Sequence, residues 1–141
     1  MTVKQLTRDQ LNDLAQAMLS RDKTATDLVA EFVNGGVEIT TVLSQTIQTV
    51  VGLIRALPEP HRDAVDSRLQ HTAQGIHIDD ARAARLVIAL FDGNHAAVNE
   101  VYMAVPDGEK DAMFAAVLDL PYSIMRGMPS GMISFTVGGQ S

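Results

Sequence analysis

The stretch "EITTVLSQTIQTVVGLI", Glu38 to Ile54, decides the fold. Ten of its last sixteen residues are β-branched, a composition that favours strands. Read as a strand, its alternate positions are Ile39, Thr41, Leu43, Gln45, Ile47, Thr49 and Val51, a face that mixes apolar with polar. The other face is no cleaner. Read as a helix, at about 100° per residue, Ile39, Val42, Leu43, Ile47, Val50, Val51, Leu53, Ile54 and Leu57 fall within about half the circumference. Leu43, Ile47, Val50, Ile54 and Leu57 step by 4, 3, 4 and 3. Length and periodicity outweigh β-propensity, so the reading is a helix over Glu38–Leu57. Pro58 ends it, because the residue before proline is steered out of helical geometry.

The polar side of this helix is equally informative. Thr41, Ser44, Gln45, Gln48 and Gly52 are uncharged, and no Asp, Glu, Lys or Arg occurs from Ile39 to Ile54. A solvated helix back normally carries charge. These five positions are therefore expected to face protein, either the chain's own tail or another chain.

Outward from this helix the chain reads as short helices with clear punctuation. Thr7 and Gln10 have capping-box spacing ahead of Leu11, Leu14, Ala15, Met18 and Leu19, which share one helical face. Thr24 with Asp27 caps a second helix, and Asn34-Gly35-Gly36 supplies residues that end one. After Pro58, Pro60 suits a helix's first turn, and a sparse apolar face (Ala64, Val65, Leu69, Ala73) marks a surface helix closed by Gly75. Arg62 and Asp66 are spaced to pair across one turn. "ARAARLVIALF", capped by Asp79 or Asp80, is apolar nearly all round and reads as a central helix. "DGN" and "PDGEKD" are turns flanking a helix with Ala97, Val98, Val101, Tyr102 and Val105. A last helix carries Met113, Phe114, Val117, Leu118 and Leu120, and Pro121 kinks or ends it.

The expected fold is all-α: an irregular bundle or stack of antiparallel hairpins of five to seven short helices. Residues 1–127 form one helical domain, and 128–141 form a Gly/Pro-rich tail. The segment Asp80 to Leu120 resembles the helix pairs of tetratricopeptide-type arrays, on "DGNHAAVNEVY" and Pro106. No second copy occurs at the expected period, so the segment reads as a general antiparallel helix hairpin.

Composition excludes more than it selects. A chain of 141 residues suits one domain with a core of its own. With no Cys there is no disulfide framework, thiolate metal site or Cys nucleophile, which fits a cytoplasmic setting. "MTVKQLTRDQLNDL" contains no apolar signal region, and no run is apolar enough for a bilayer. The formal charge is −6, with −2 in residues 1–70 and −4 in 71–141. Neither half advertises a phosphate-neutralising surface.

The P-loop, G-x-S-x-G, H-E-x-x-H and EF-hand patterns are absent, as is a Glu followed three residues later by His. No catalytic residue or cofactor site is assigned. The best metal candidates are His71, His77, Asp79 and Asp80 in "HTAQGIHIDD", imidazoles and carboxylates within one turn. Their plainer reading is a polar connection whose Asp residues cap the next helix. Residues 24–54 also read as a helix-turn-helix, with Thr41, Ser44, Gln45 and Gln48 at base-reading positions. Against that, Thr24–Ile54 holds 31 residues, three acids and no Lys or Arg, whereas phosphate contacts supply much of a DNA binder's affinity. Met125, Met128, Met132 and Phe135 make the C-terminal part apolar, and Met suits surfaces that repack around a partner. "ISFTV" has the pattern of a strand added to a partner or second subunit.

The leading expectation is a non-catalytic, self-associating protein-interaction module, with protein or itself as partner and no membrane. The alternatives are a DNA-binding regulator built on residues 24–54 and a small enzyme or ligand binder with an inter-helix pocket.

Overall fold

The Ile39 stretch is helical throughout. The computed structural model describes residues 4–20 and 24–125, and seven α-helices account for most of them. They are α1 (Arg8–Ser20), α2 (Thr24–Asn34), α3 (Ile39–Arg55), α4 (Glu59–Ala73), α5 (Ile78–Phe91), α6 (His95–Ala104) and α7 (Lys110–Met125). A short 3₁₀ turn, Asp107–Glu109, precedes α7. No strand occurs among the described residues.

The punctuation works largely as its chemistry requires. Thr7 and Gln10 form the capping box: Thr7 N–H donates to Gln10 Oε1 at 2.8 Å, and Gln10 N–H to Thr7 Oγ1 at 3.2 Å. α2 ends in a Schellman motif. Val37 N–H donates to Phe32 O and Gly36 N–H to Val33 O, with Gly36 at φ +103°. Val37 and Phe32 are both buried, the apolar contact that accompanies this motif. α5 closes identically through Asn94 N–H to Ala89 O, with Gly93 at φ +73°. Asn94 then caps α6, its Oδ1 accepting from Ala97 N–H at 3.0 Å.

Three local expectations need correcting. α5 starts at Ile78, so Asp79 and Asp80 lie in its first turn rather than at its cap. Arg62 donates to the Leu57 carbonyl at 3.0 Å, sealing the α3–α4 corner, and no ion pair joins it to Asp66. α7 does not end at Pro121, one of the two outcomes expected there, but is helical through to Met125. An interior proline costs roughly 3 kcal/mol. Beyond it, Ile124 and Met125 are fully buried, and each such side chain contributes about 1.5–3 kcal/mol. Arg68 of α4 also donates to the Ile124 carbonyl at 3.0 Å, which ties the part of α7 beyond the proline to α4. Met125, 3% exposed, is thus a core residue rather than part of an apolar surface offered to a partner.

In α3 the 4-3-4-3 spacing buries Leu43, Ile47, Val50, Ile54 and the following Leu57. Ile39, counted on the same face, is 45% exposed, because it sits at the helix start beyond its neighbours' reach. Thr46 goes the other way and is wholly buried. Its hydroxyl donates to the Val42 carbonyl at 2.6 Å, which makes it acceptable inside the core.

α5 is central. It packs against α3, α4, α6 and α7, and Ala83, Ala84, Leu86 and Val87 are completely enclosed. α4 is the surface helix expected, burying only Val65, Leu69 and Ala73. α6 packs chiefly on α5, and none of its residues is fully buried. None of the described helices is long and apolar enough to cross a membrane.

Candidate functional site

α3 and α6 both lie on α5 but not on each other. The space between them is a slot of about 360 Å³. At its base lie Leu90 of α5, partly exposed, and behind it the enclosed Leu86; Leu43 and Ile47, nearly buried, back the α3 side, and the half-buried Val98 and Tyr102 line the α6 wall. Thr40, Ser44, Gln48, His95, Asn99 and Met103 form the rim. No Asp, Glu, Lys or Arg lines it. Met103 is 67% exposed, a large apolar side chain held at the edge.

The α3 side of the rim is a ridge. Behind it lies a second concavity of about 330 Å³, lined by Gln5, Thr40, Thr41, Ser44, Gln45 and Gln48, again without charge. Gln48 Nε2 donates to Ser44 Oγ at 3.3 Å, so the ridge's polar groups partly satisfy one another.

Four of the five α3 positions singled out from sequence thus come together on this surface, in different ways. Ser44 and Gln48 are exposed; Thr41 and Gln45 are half-buried. Gln45 is tied down, because its Oε1 accepts from the Leu6 N–H at 2.8 Å and pins the segment before α1. Gly52 stands apart, exposed, with open space where a side chain would project. Among the described residues nothing covers Ser44, Gln48 or Gly52. Met128, Met132 and Phe135 lie outside the described residues.

The sequence reading missed the other wall. Sequence reading places Val98 and Tyr102 on a helix but gives no reason to single out Asn99 and Met103. The available signal was α6 itself: ten residues with no charge but Glu100, and Met103 next to its apolar face.

The metal candidates fare differently. His71, His77 and Asp80 line a cavity of about 640 Å³ between the α4–α5 connection and the last turns of α7, with Asp119 and Tyr122. Asp79 turns away to Arg82 at 3.7 Å, and Arg82 also meets Glu109 at 3.0 Å. Among the described residues, no three His, Asp or Glu side chains stand close enough together to hold a metal ion.

Residues 24–54 do fold as helix, glycine turn, helix. Two described cations close to this unit are engaged by the protein itself, and Lys23, next to it in sequence, lies outside the described residues. Lys4 Nζ donates to the Gly35 carbonyl, and Arg55 donates to the Phe91 carbonyl at 2.8 Å with its guanidinium 5.3 Å from the Phe91 ring centre. Beside the slot, Lys110 Nζ stands 5.0 Å from the Tyr102 ring centre, held by the Val105 carbonyl and the Asp107 carboxylate. That hydrogen bond, and then the charge of Lys110, lowers the Asp107 pKa below its ordinary 3.8.

No protein-family model matches the chain, and no curated protein or solved structure shows significant similarity to it. The functional reading therefore rests on the slot and its surroundings.

Proposed function

We propose that this chain is a non-catalytic protein-interaction module that self-associates through the α3–α6 slot. One observation carries the reading: an apolar floor and walls, an uncharged polar rim and an exposed methionine, with no Asp, Glu, Lys or Arg in the lining. Protein interfaces are depleted of charge at their centre and enriched in Met and Tyr, which describes this surface. Burying it loses no ion hydration, so its apolar area favours association without the penalty that charged rims impose.

The charge distribution favours protein over nucleic acid. A base-reading α3 would need phosphate contacts beside it; residues 24–54 carry no Lys or Arg, and of the described cations nearby Lys4 and Arg55 bond to backbone carbonyls. The cavity at His71 and His77 supports a ligand-binding reading less well, because its carboxylates and imidazoles converge on no common point that could hold an ion.

Sedimentation velocity across a concentration series tests the proposal. The full chain is expected to form a reversible oligomer. Ser44→Glu and Met103→Glu, both at exposed rim positions, are expected to shift it to monomer with unchanged helical circular dichroism. A monomeric wild-type chain at every concentration would refute self-association.

A further inference from the structure

α6 is held differently from the other six helices. We infer that it is a latched flap: it undocks from α5 as one unit while the rest of the bundle stays folded, and Lys110 is the latch that keeps it down. The inference goes beyond the self-association reading and does not depend on it. It concerns how the slot changes shape, because α6 is one of the slot's walls.

Three observations carry it. The first is the docking face. α6 packs chiefly on α5. Ala97, Val98, Val101 and Tyr102 are half-buried, and no residue from His95 to Ala104 is fully buried. Every other α-helix encloses three or more apolar side chains. Isolated helices shorter than about 12 residues are marginal in water, so the ten residues of α6 depend on this docking. Segments with few buried apolar contacts open at much lower free energy than the core around them.

The second is the pair of ends. Gly93, at φ +73°, separates α5 from α6, and nothing stands within 4 Å of where its side chain would project. At the other end Val105 is extended, with ψ 126°, and Pro106 follows with no N–H to donate. α6 therefore shares no continuous helical hydrogen bonding with α5 or α7. It can lift without unwinding either neighbour. Val105, 2% exposed, stays packed in the core and fixes the far pivot.

The third is Lys110, the first residue of α7. Its Nζ donates to the Val105 carbonyl at 2.7 Å and to the Asp107 carboxylate at 2.8 Å. It also stands 5.0 Å from the ring centre of Tyr102, one of the four half-buried residues by which α6 docks. One cation thus joins the α6 docking face to the start of α7. Charge-assisted hydrogen bonds and a cation–π contact are the stronger polar contacts available to it. With α6 lifted, Leu86 and Leu90 lose the wall that faces them, and the slot becomes an open groove along α3 and α5. The slot of about 360 Å³ is the latched form.

Amide hydrogen exchange followed by NMR on the full chain tests the flap. Rates are measured in a urea series below the unfolding transition and extrapolated to infinite dilution, so that association through the slot does not contribute. In the wild type, amides of residues 98–104 are expected to exchange through one shared opening, about a hundredfold or more ahead of residues 86–90 of α5. Their urea dependence should be shallow, because lifting one short helix exposes little surface. Lys110→Met is expected to speed α6 exchange about fivefold, the loss of one charged hydrogen bond or cation–π contact. Val65→Ala, at an enclosed position on α4, loosens contacts that persist when α6 lifts. It should speed exchange in α5 and leave α6 unchanged. A common rate and urea slope for α6 and α5 in the wild type would overturn the flap, since α6 would then open only when the whole molecule unfolds. Rates that climb residue by residue toward both ends of α6 would also overturn it, as fraying gives that pattern. Unchanged α6 exchange in Lys110→Met would overturn Lys110 as the latch.

Discussion

Gln45 shows how far a single residue can be read from its neighbours. Its uncharged side chain on a helix back marks it as a contact for protein, either the chain's own tail or another chain. Its partner is the Leu6 N–H, 39 positions away in the chain. No local pattern reveals such a bond, because it depends on how the segment before α1 crosses α3. Gln45→Ala should cost about 1 kcal/mol in urea unfolding, the usual worth of a backbone donor left without its partner. Gln45→Glu keeps an oxygen acceptor in place and should cost less. Equal losses would mean that the Leu6 bond contributes nothing. Asp107 gives a second residue-scale outcome. Its lowered pKa comes from the Lys110 hydrogen bond first and the Lys110 charge second. Because the folded pKa is depressed, its contribution to stability is present above the unfolded value and is lost as pH falls through the folded one. Carboxyl NMR should give Asp107 a titration midpoint below 3.8 that returns toward it in Lys110→Met and in high salt. An unchanged midpoint in Lys110→Met would assign the shift elsewhere.

Among the elements, α3 was legible because the 4-3-4-3 apolar spacing is a long-range property of the stretch, whereas β-branching is a residue-by-residue one. Its two exceptions were not legible. Ile39 is exposed by position at a helix start, and Thr46 is buried by virtue of a hydroxyl bonded to its own helix. The continuation of α7 past Pro121 was hidden for a related reason. Proline's local cost is visible in sequence, but the burial of Ile124 and Met125 that offsets it is tertiary. Two glycines make a matched test of what each helix requires. Gly36, at φ +103°, holds a conformation that a Cβ disfavours by about 1–2 kcal/mol, so Gly36→Ala should destabilise by roughly that amount. Gly52 lies inside α3 with open space around it, so Gly52→Ala should stabilise by up to about 1 kcal/mol. Urea denaturation of the two variants side by side gives the comparison, and a destabilised Gly52→Ala would show that something packs against α3 there.

At the scale of the molecule, the all-α class and the centrality of α5 could be read from patterning, because an element apolar all round has only one place to go. The slot could not. It exists because α6 is short, rests chiefly on α5 and leaves α3 uncovered along one side. That arrangement follows from which helices meet in space, and neither helix records it by itself. It also changes the meaning of the uncharged α3 back. Ser44 and Gln48 stand at the rim of a cleft lined by leucine, so the uncharged exposed positions border an apolar surface. The account predicts a local consequence of self-association, and methyl NMR of the full chain during dilution reads it most directly. Methyl signals of Met103, Leu90 and Ile47 should shift as the oligomer dissociates. Ile76, 93% exposed at the far α4–α5 connection, should not move. Shifts confined to Ile76, or none anywhere, would contradict the slot as the surface through which this protein associates.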